Sequence, residues 1–499
     1  MCTLPDPSRR SRSTLLCLLL LLCAGAASAA AVEIPDAALE SHLREALGQP
    51  SGDLEDSALA TITSLYHDVD LHGVITDLTG LEYCTGLEAF DVQDCQLSDL
   101  TPLAGLSNLT YLQIVNSGVT DVTPLAGLAA LYHLGIWRNA ISDIAPLSGL
   151  INLTWLGLAG NQISNISPLV GLTNLETLHL QDNQLPDVGP LSGLTGLREL
   201  LLDGNNVVDL TPLAALSALE ILGLNSNTLS NLGPLSGLAN LTQLFLYDNQ
   251  ITDLAPLSGL TGLERLNLSV NFFSDLTPLA GLTALRDLDL ASCQVTALGP
   301  VGGLTALEYL DISYNLIPSL SGVETLDALL RLDVSGNPLT TVLPVFDLDS
   351  LIELWLCDIL TGGETLAEQA AELEAGGVDV VFGAAECNPG EGEGEGEPPL
   401  PRHSADQNGD NRINLTELLR IIQFYNSGGL HCDATGEDGY APGPGDASCP
   451  PHDADYAPAG PDWQIALTEL LRIIQFYNVG AFHACPGQGT EDGFCLGNP

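Results

Sequence analysis

The sequence predicts an α/β repeat solenoid: a curved array of short coils whose strands stack into one parallel concave sheet, followed by a small all-α domain. Three observations carry this expectation. One period of 22 residues recurs without insertion, each period holds a fixed alternation of leucines, and composition changes abruptly near Cys387.

In Leu156-Gly-Leu158-Ala-Gly-Asn161-Gln-Ile163 two leucines alternate with other residues, the pattern of a strand with one buried face. The same frame returns with its sixth position at 95, 117, 139, 161, 183, 205, 227, 249, 271, 293, 315 and 337. Asn fills nine of these twelve positions; Cys95, Ser117 and Cys293 fill the others. Pro follows seven residues later at every position from 102 to 300. One coil cannot bury its leucines alone, whereas stacked coils bury them continuously. The Asn turns the chain, and its amide can satisfy backbone groups that would otherwise be buried unpaired. Pro fixes φ at the start of a short helical or extended piece on the convex side. The array so defined runs from 61 to 360, about 13 coils.

An open stack needs caps. Residues 30–60 form the first, with a helix over 36–47: Asp36 is its N-cap, Leu39, Leu43 and Leu47 share one face, and Gly48 stops it. Residues 361–386 form the second, with a helix over 364–375, a Gly376-Gly377 stop and a last strand over 378–382. Before the array, Arg9, Arg10 and Arg12, an apolar run over 15–22 and the Ala27-Ser28-Ala29 site read as a signal peptide ending at residue 29. The run is too short to span a bilayer. The chain is therefore expected to be secreted or at the cell surface, outside the cytoplasm of a bacterium, without direct membrane insertion. A net charge of −50 with no Lys excludes nucleic acid as a partner, because a phosphate backbone needs clustered cations.

The frame also predicts the side chains that face outward from the concave sheet. They include Tyr111, His133, Trp137, Arg138, Trp155, His179, Phe245, Tyr247, Tyr309, Tyr314 and Trp355, and three of the four tryptophans fall among them. Core positions are already Leu, Ile or Val, so these rings read as exposed anchors of a binding surface. The face has two zones. Tyr111, His133, Trp137, Trp155 and His179 suit an apolar protein anchor or a sugar ring. Asp287, Asp289, Asp311, Asp333, Glu353 and Asp358, with Arg331 alone opposite in sign, suit a basic patch. His133 and His179 lie two coils apart, roughly 10 Å, too far to share a metal. A column of aspartates at 99, 121, 143, 187, 209, 253 and 275 reads as turn capping rather than a metal ladder. Cys95 and Cys293 read as buried thiols in place of Asn. The Asn-Leu-Thr sequons at 108, 152 and 240 belong to the repeat consensus.

Residues 387–401 are a Gly/Glu/Pro spacer unable to build a core, so residues 402–499 form a separate domain. Within it Leu415-Thr-Glu-Leu-Leu-Arg-Ile-Ile-Gln-Phe-Tyr-Asn426 recurs over 467–478 without a mismatch. Asp406, Asn408, Asp410, Asn414 and Glu417 match the oxygen-ligand spacing of a calcium loop, with the Arg412 carbonyl at the seventh position. The second copy is irregular: Asp455 is followed by three extra residues before Asp462 and Glu469, so one calcium site is expected and the second is left open. Cys432 and Cys449, and Cys485 and Cys495, stand at matching places and suggest two local disulfides.

The coil pattern, as in Leu153-Thr-Trp-Leu156-Gly-Leu-Ala-Gly-Asn161-Gln-Ile-Ser-Asn-Ile-Ser-Pro168-Leu, resembles bacterial leucine-rich repeats of the internalin type. That resemblance implies a ligand-binding concave sheet without naming the ligand. The C-terminal pattern, Asp406-Gln-Asn408-Gly-Asp410 leading into the helix, resembles a dockerin, and implies docking on a cohesin-like domain through Leu415, Thr416, Leu467 and Thr468. No nucleophile elbow, metalloprotease helix or phosphate loop is present in the sequence. The expected function is therefore non-enzymatic recognition of a protein or glycan, with a calcium-stabilised module for tethering or assembly; a surface-layer spacer is the first alternative and an enzyme the second.

Overall fold

The computed structural model describes residues 30–67, 73–359 and 363–382, together with four short strands at 430–432, 440–442, 482–484 and 494–496. The chain divides into two compact units, Met1–Gly383 and Ala384–Pro499.

In the first unit fifteen strands form one sheet in chain order, from Ser64–Tyr66 to Asp379–Val381. Neighbours pair in parallel with a constant register, so that Leu134 faces Leu156 and Leu156 faces Leu178. Fourteen of these strands, from Ser64–Tyr66 to Glu353–Trp355, lie within 61–360, one more than the sequence frame counts, and the last strand belongs to the C-terminal cap. Each strand is short because the chain must turn back within 22 residues. On the return side Pro opens a single 3₁₀ turn, as in Ala145–Gly149 and Ser167–Gly171. Leucines from both sides meet between them in one continuous core: Leu147, Leu150, Leu153, Leu156 and Leu158 are all fully buried. Burial of each leucine contributes about 1.5–3 kcal/mol, and in a stack it is shared with the coils on either side.

The recurring Asn explains why so tight a coil leaves few orphan groups. The Asn161 amide donates to the carbonyls of Ile136, one coil back, and Leu158, while its oxygen accepts from the Ile141 N–H, at 2.8–3.0 Å. Asn183, Asn205, Asn227, Asn249 and Asn271 repeat the pattern. Where cysteine stands instead, it takes over part of the task. Cys293 Sγ donates to the Leu268 carbonyl at 3.1 Å, and Cys95 Sγ accepts from the Ile75 N–H at 3.4 Å. Both are free and buried, and burial pushes the Cys293 thiol up to about 12, so it stays protonated. Cys357, by contrast, is disulfide-bonded.

A second column makes the turn. The residue before each Asn position has a left-handed backbone: Asp94, Asn116, Arg138, Asp182, Ser226, Asp248, Val270, Ser292, Tyr314 and Asp358, with glycine at 160, 204 and 336. Its N–H still bonds the next coil, as from Arg138 to the Ala159 carbonyl at 2.8 Å, so the ladder continues through the bend.

The aspartate column caps turns. Asp99, Asp143 and Asp253 each accept from the N–H two residues on at 2.8–2.9 Å, and Asp121, Asp187, Asp209 and Asp275 do the same. Bonding from the Thr hydroxyl and then its N–H lowers the carboxyls of Asp99, Asp121, Asp209 and Asp275. The sequon residues Asn108, Asn152 and Asn240 donate to carbonyls of the preceding coil at 2.8–2.9 Å, which gives them a structural role.

The N-terminal cap is tied on by one carboxylate. Asp36 Oδ1 caps the helix Ala37–Leu47 through the N–H groups of Ala38 and Leu39. Its Oδ2 accepts from Thr76 N, Thr76 Oγ1 and Asp77 N at 2.7–3.2 Å. Burial pushes this carboxyl up, but these donors outweigh it and hold it below its ordinary value. At the other end the helix Gly363–Gly376 packs against the last strand, Asp379–Val381.

The described residues of the second unit are strands, where the sequence reading expects only helices. Leu430–Cys432 pairs antiparallel with Tyr440–Pro442, and Phe482–Ala484 with Phe494–Leu496. The two hairpins begin 52 residues apart, the same offset that separates the duplicated segments, so the duplication extends past the helix motif. The signal segment 1–29, the spacer, the calcium-loop and docking residues named above, and Cys449 and Cys485 lie outside the described residues. So do the side chains of Cys432 and Cys495. Among the described residues no helix is long and apolar enough to cross a membrane.

Candidate ligand-binding face

Four columns of side chains line the exposed side of the sheet. Register places Tyr111, His133 and Trp155 in the first, continuing to Arg265, Asp287, Tyr309, Arg331 and Glu353. The second, two residues further on each strand, holds His179, Phe245, Asn267, Asp289, Asp311, Asp333 and Trp355. Trp137 and Tyr247 stand in the third column, and Arg138 and Tyr314 occupy the left-handed fourth.

At one end the rings build a cluster. His133 is sandwiched between Tyr111 at 4.4 Å and Trp155 at 4.1 Å, with planes 14° and 9° apart. Trp137 meets Trp155 edge-on at 5.1 Å, and His179 does so at 5.2 Å. Strand spacing of roughly 4.8 Å is close to ring-stacking distance, which is why rings in one column lie parallel. Two glycines make room for the indoles. A Cβ on Gly157 would lie 2.5 Å from the Trp155 ring, and one on Gly135 would lie 3.3 Å from Trp137 Nε1. The expectation of free-standing exposed anchors is therefore corrected: these five rings are half-buried, because each lies flat on the sheet or on its neighbour. Arg138, Tyr247 and Tyr314 are exposed.

The cluster carries little charge. Burial pushes the His133 imidazole down to about 4, so it is neutral at ordinary pH. His179 Nε2 lies 3.0 Å from Glu199 Oε1. Among the described residues His133 Nε2, Trp137 Nε1 and Gln181 Oε1 are buried without a hydrogen-bond partner. The ring of Trp155 lies against both His133 and His179, and among the described residues no group of three His, Cys, Asp or Glu is placed to hold a metal.

The other end concentrates carboxylates. Asp289, Asp311 and Asp333 follow one another on adjacent strands. Burial first, then repulsion from Asp311, pushes Asp289 up to about 7 and Asp333 up to about 6; burial raises Asp311. Asp311 and Asp333 accept from the N–H groups of Ser313 and Ser335 at 2.8 and 2.9 Å. Asp289 accepts from Asn267 Nδ2 at 2.9 Å and from the Ser269 hydroxyl. Arg265 pairs with Asp287 at 3.1 Å and lies 5.8 Å over the Phe245 ring. Arg331 pairs with Glu353, which also accepts from Trp355 Nε1 at 2.7 Å. Tyr309, Arg331, Asp333, Glu353 and Trp355 line a cavity of about 280 Å³. Tyr314 lies over Gly336 and donates to Asp358 Oδ2 at 2.8 Å.

Gly135, Gly157, Gln181 and Asn267 were not picked out from sequence. The only available signal was glycine inside a strand, which marks close approach.

A family model described as leucine-rich repeats in two copies matches residues 151–194 and 239–281. A search of curated proteins finds no match. Among solved structures, a leucine-rich-repeat protein of Leptospira interrogans is 21% identical, covers 66% of this chain and 97% of its own, and superposes with a TM-score of 0.56; at that identity it supports the fold alone. An internalin from Listeria monocytogenes is 31% identical over 67% of this chain and 94% of its own, also with a TM-score of 0.56. The same coil, the same stacking order and this level of identity over nearly the whole of that molecule place the chain in the internalin family of leucine-rich-repeat proteins.

Proposed function

We propose that the chain is a non-catalytic recognition protein, working outside the cytoplasm, that binds a protein partner through the sheet face. The observation that carries this reading is the five-ring cluster around Trp155. The cluster is dispensable for the core, which the leucines complete, yet it keeps half-exposed indole and imidazole surface on a rigid support. Rigid aromatic area is the usual source of interface hot spots, since little rotamer freedom is lost on binding. Its unpaired polar atoms favour rearrangement on contact with a partner that supplies the missing bonds. Membership of the internalin family supports recognition over catalysis. The C-terminal unit is read as a calcium-loop module that tethers the molecule, through Asp406, Asn408, Asp410, Asn414 and Glu417, to a cohesin-like or surface-retained partner.

The test is capture from native envelope and extracellular material by the full chain, beside the full-length Trp137→Ala/Trp155→Ala variant. A protein held by wild type, lost by the variant and rebound after purification supports the reading. Recovery of the same material by both leaves the array as a spacer. Elution of wild type by free oligosaccharide points to a glycan instead. Calorimetric titration of calcium into the full chain and into Asp410→Ala/Glu417→Ala tests the module; equal heats remove the calcium site.

A further inference from the structure

We propose that the acidic end of the sheet face is a docking surface for a basic segment of a protein partner, one of whose arginine side chains enters the cavity between Tyr309 and Trp355. The proposal rests on the recognition reading above and names the chemistry its partner must present.

Charge complementarity is the first argument. The three arginines of this zone are committed, Arg265 to Asp287, Arg286 to Glu308 and Arg331 to Glu353, and among the described residues no cation pairs with Asp289, Asp311 or Asp333. Three carboxylates on consecutive strands repel one another, and partial burial strengthens the repulsion. Backbone N–H groups and neighbouring amides reduce this cost without cancelling charge. A guanidinium delivered from outside would cancel it.

Shape is the second. The cavity of about 280 Å³ has two carboxylates and one guanidinium between two aromatic residues; Arg331 is neutralised by Glu353, which leaves Asp333 beside the rings, a combination that favours a flat cation through charge and ring contact together. Trp355 is held by its bond to Glu353, so this wall is set in advance.

The third argument is that the protein already contains an internal version. Arg265 lies over the Phe245 ring while its Nε reaches Asp287. An aromatic residue in the second column and a carboxylate in the first thus hold a guanidinium on this same sheet. Three strands further on, Tyr309, Asp333 and Trp355 offer rings and a carboxylate, here in the second column, and among the described residues no guanidinium is paired with Asp333, Arg331 being bound to Glu353. The raised carboxyls of Asp289 and Asp333 add a readout: a bound cation lowers them and expels protons between pH 6 and 7. Tyr309 is also raised and stays protonated there, and the guanidiniums of Arg265 and Arg331 stand beside it on Asp287 and Glu353.

The probe is a labelled peptide of alternating glycine and arginine, titrated with the full chain, beside the same peptide with glutamine in place of arginine. Wild type should bind the arginine peptide at least tenfold more tightly, with heats that depend on the buffer's ionisation enthalpy. Asp311→Asn/Asp333→Asn should lose at least tenfold and the proton release with it; Trp355→Leu should lose about fivefold. Asp143→Asn/Asp187→Asn, which removes equal charge from the turns, should bind as wild type does. Equal loss in that control, equal binding of the glutamine peptide, or full binding by Asp311→Asn/Asp333→Asn would overturn the proposal. Envelope capture separates it from the broader reading: a partner lost with Trp155→Ala but retained, along with the peptide, by Asp311→Asn/Asp333→Asn leaves recognition standing and removes this surface.

Discussion

The two ends of the sheet face share one backbone, one register and one spacing, and differ only in what is hung on them. At strand spacing, rings attract: His133 fits between Tyr111 and Trp155 at 4.1–4.4 Å. At the same spacing, carboxylates repel: burial first, then repulsion from Asp311, raises Asp289 and Asp333, while burial raises Asp311. The lesson is that a strictly periodic scaffold converts a choice of residue type into an interaction of known sign, because geometry is no longer free to adjust.

The largest expected effect tests whether both ends do depend on one scaffold. Asn205, between them, bonds the carbonyls of Leu180 and Leu202 and the Leu185 N–H. Asn205→Ala leaves these groups buried and unpaired and should cost about 3 kcal/mol in denaturant unfolding. A cost under about 1 kcal/mol would mean that the coils hold without their ladder. Next, truncation should have opposite signs at the two ends. Trp155→Ala removes one stacked and two edge-on ring contacts and should destabilise by about 2 kcal/mol, whereas Asp311→Asn should be neutral or stabilising by thermal melting. Equal losses would break the contrast.

A pH series separates two populations of aspartate. The folded carboxyls of Asp289 and Asp333 lie above their unfolded values, so the stability linked to their protonated forms is lost as pH rises through 6 and 7. Stability should therefore increase from pH 8 to pH 5, by on the order of 2 kcal/mol. Asp36 and the turn aspartates are lowered, so theirs is lost as pH falls below about 4. In Asp289→Asn/Asp333→Asn the neutral-side slope should disappear while the acid-side fall persists. The smallest effect lies at Val270, a branched residue at φ 55° where its neighbours in the column are mostly Asp, Asn, Ser or Gly. Val270→Asn should stabilise by about 1 kcal/mol and leave peptide binding unchanged; a lower melting temperature would show that its side chain contributes more than the strain costs.

The array was legible because its causes are periodic. Leu156 and Leu158, Asn161 and Pro168 each recur at a fixed step, and the sheet, the amide ladder and the 3₁₀ turns follow from them. The left-handed column was not legible, since Arg138, Val270 and Tyr314 share a backbone conformation but no chemistry. Nor was the posture of the rings. Sequence placed Trp137 and Trp155 on the exposed face, but that they lie down depends on Gly135 and Gly157, whose lack of a side chain carries no functional signature. The residues of the calcium loop and its docking positions, from Asp406 to Glu469, rest on spacing and resemblance alone.

The constant step has a metric consequence. Trp155 and Tyr309 stand in the same column seven strands apart, a path of roughly 34 Å at the usual strand spacing. The face is thus graduated like a ruler. Removing one whole period would bring the two zones about 5 Å closer without disturbing either, so the length of a bridging partner can be read by counting coils.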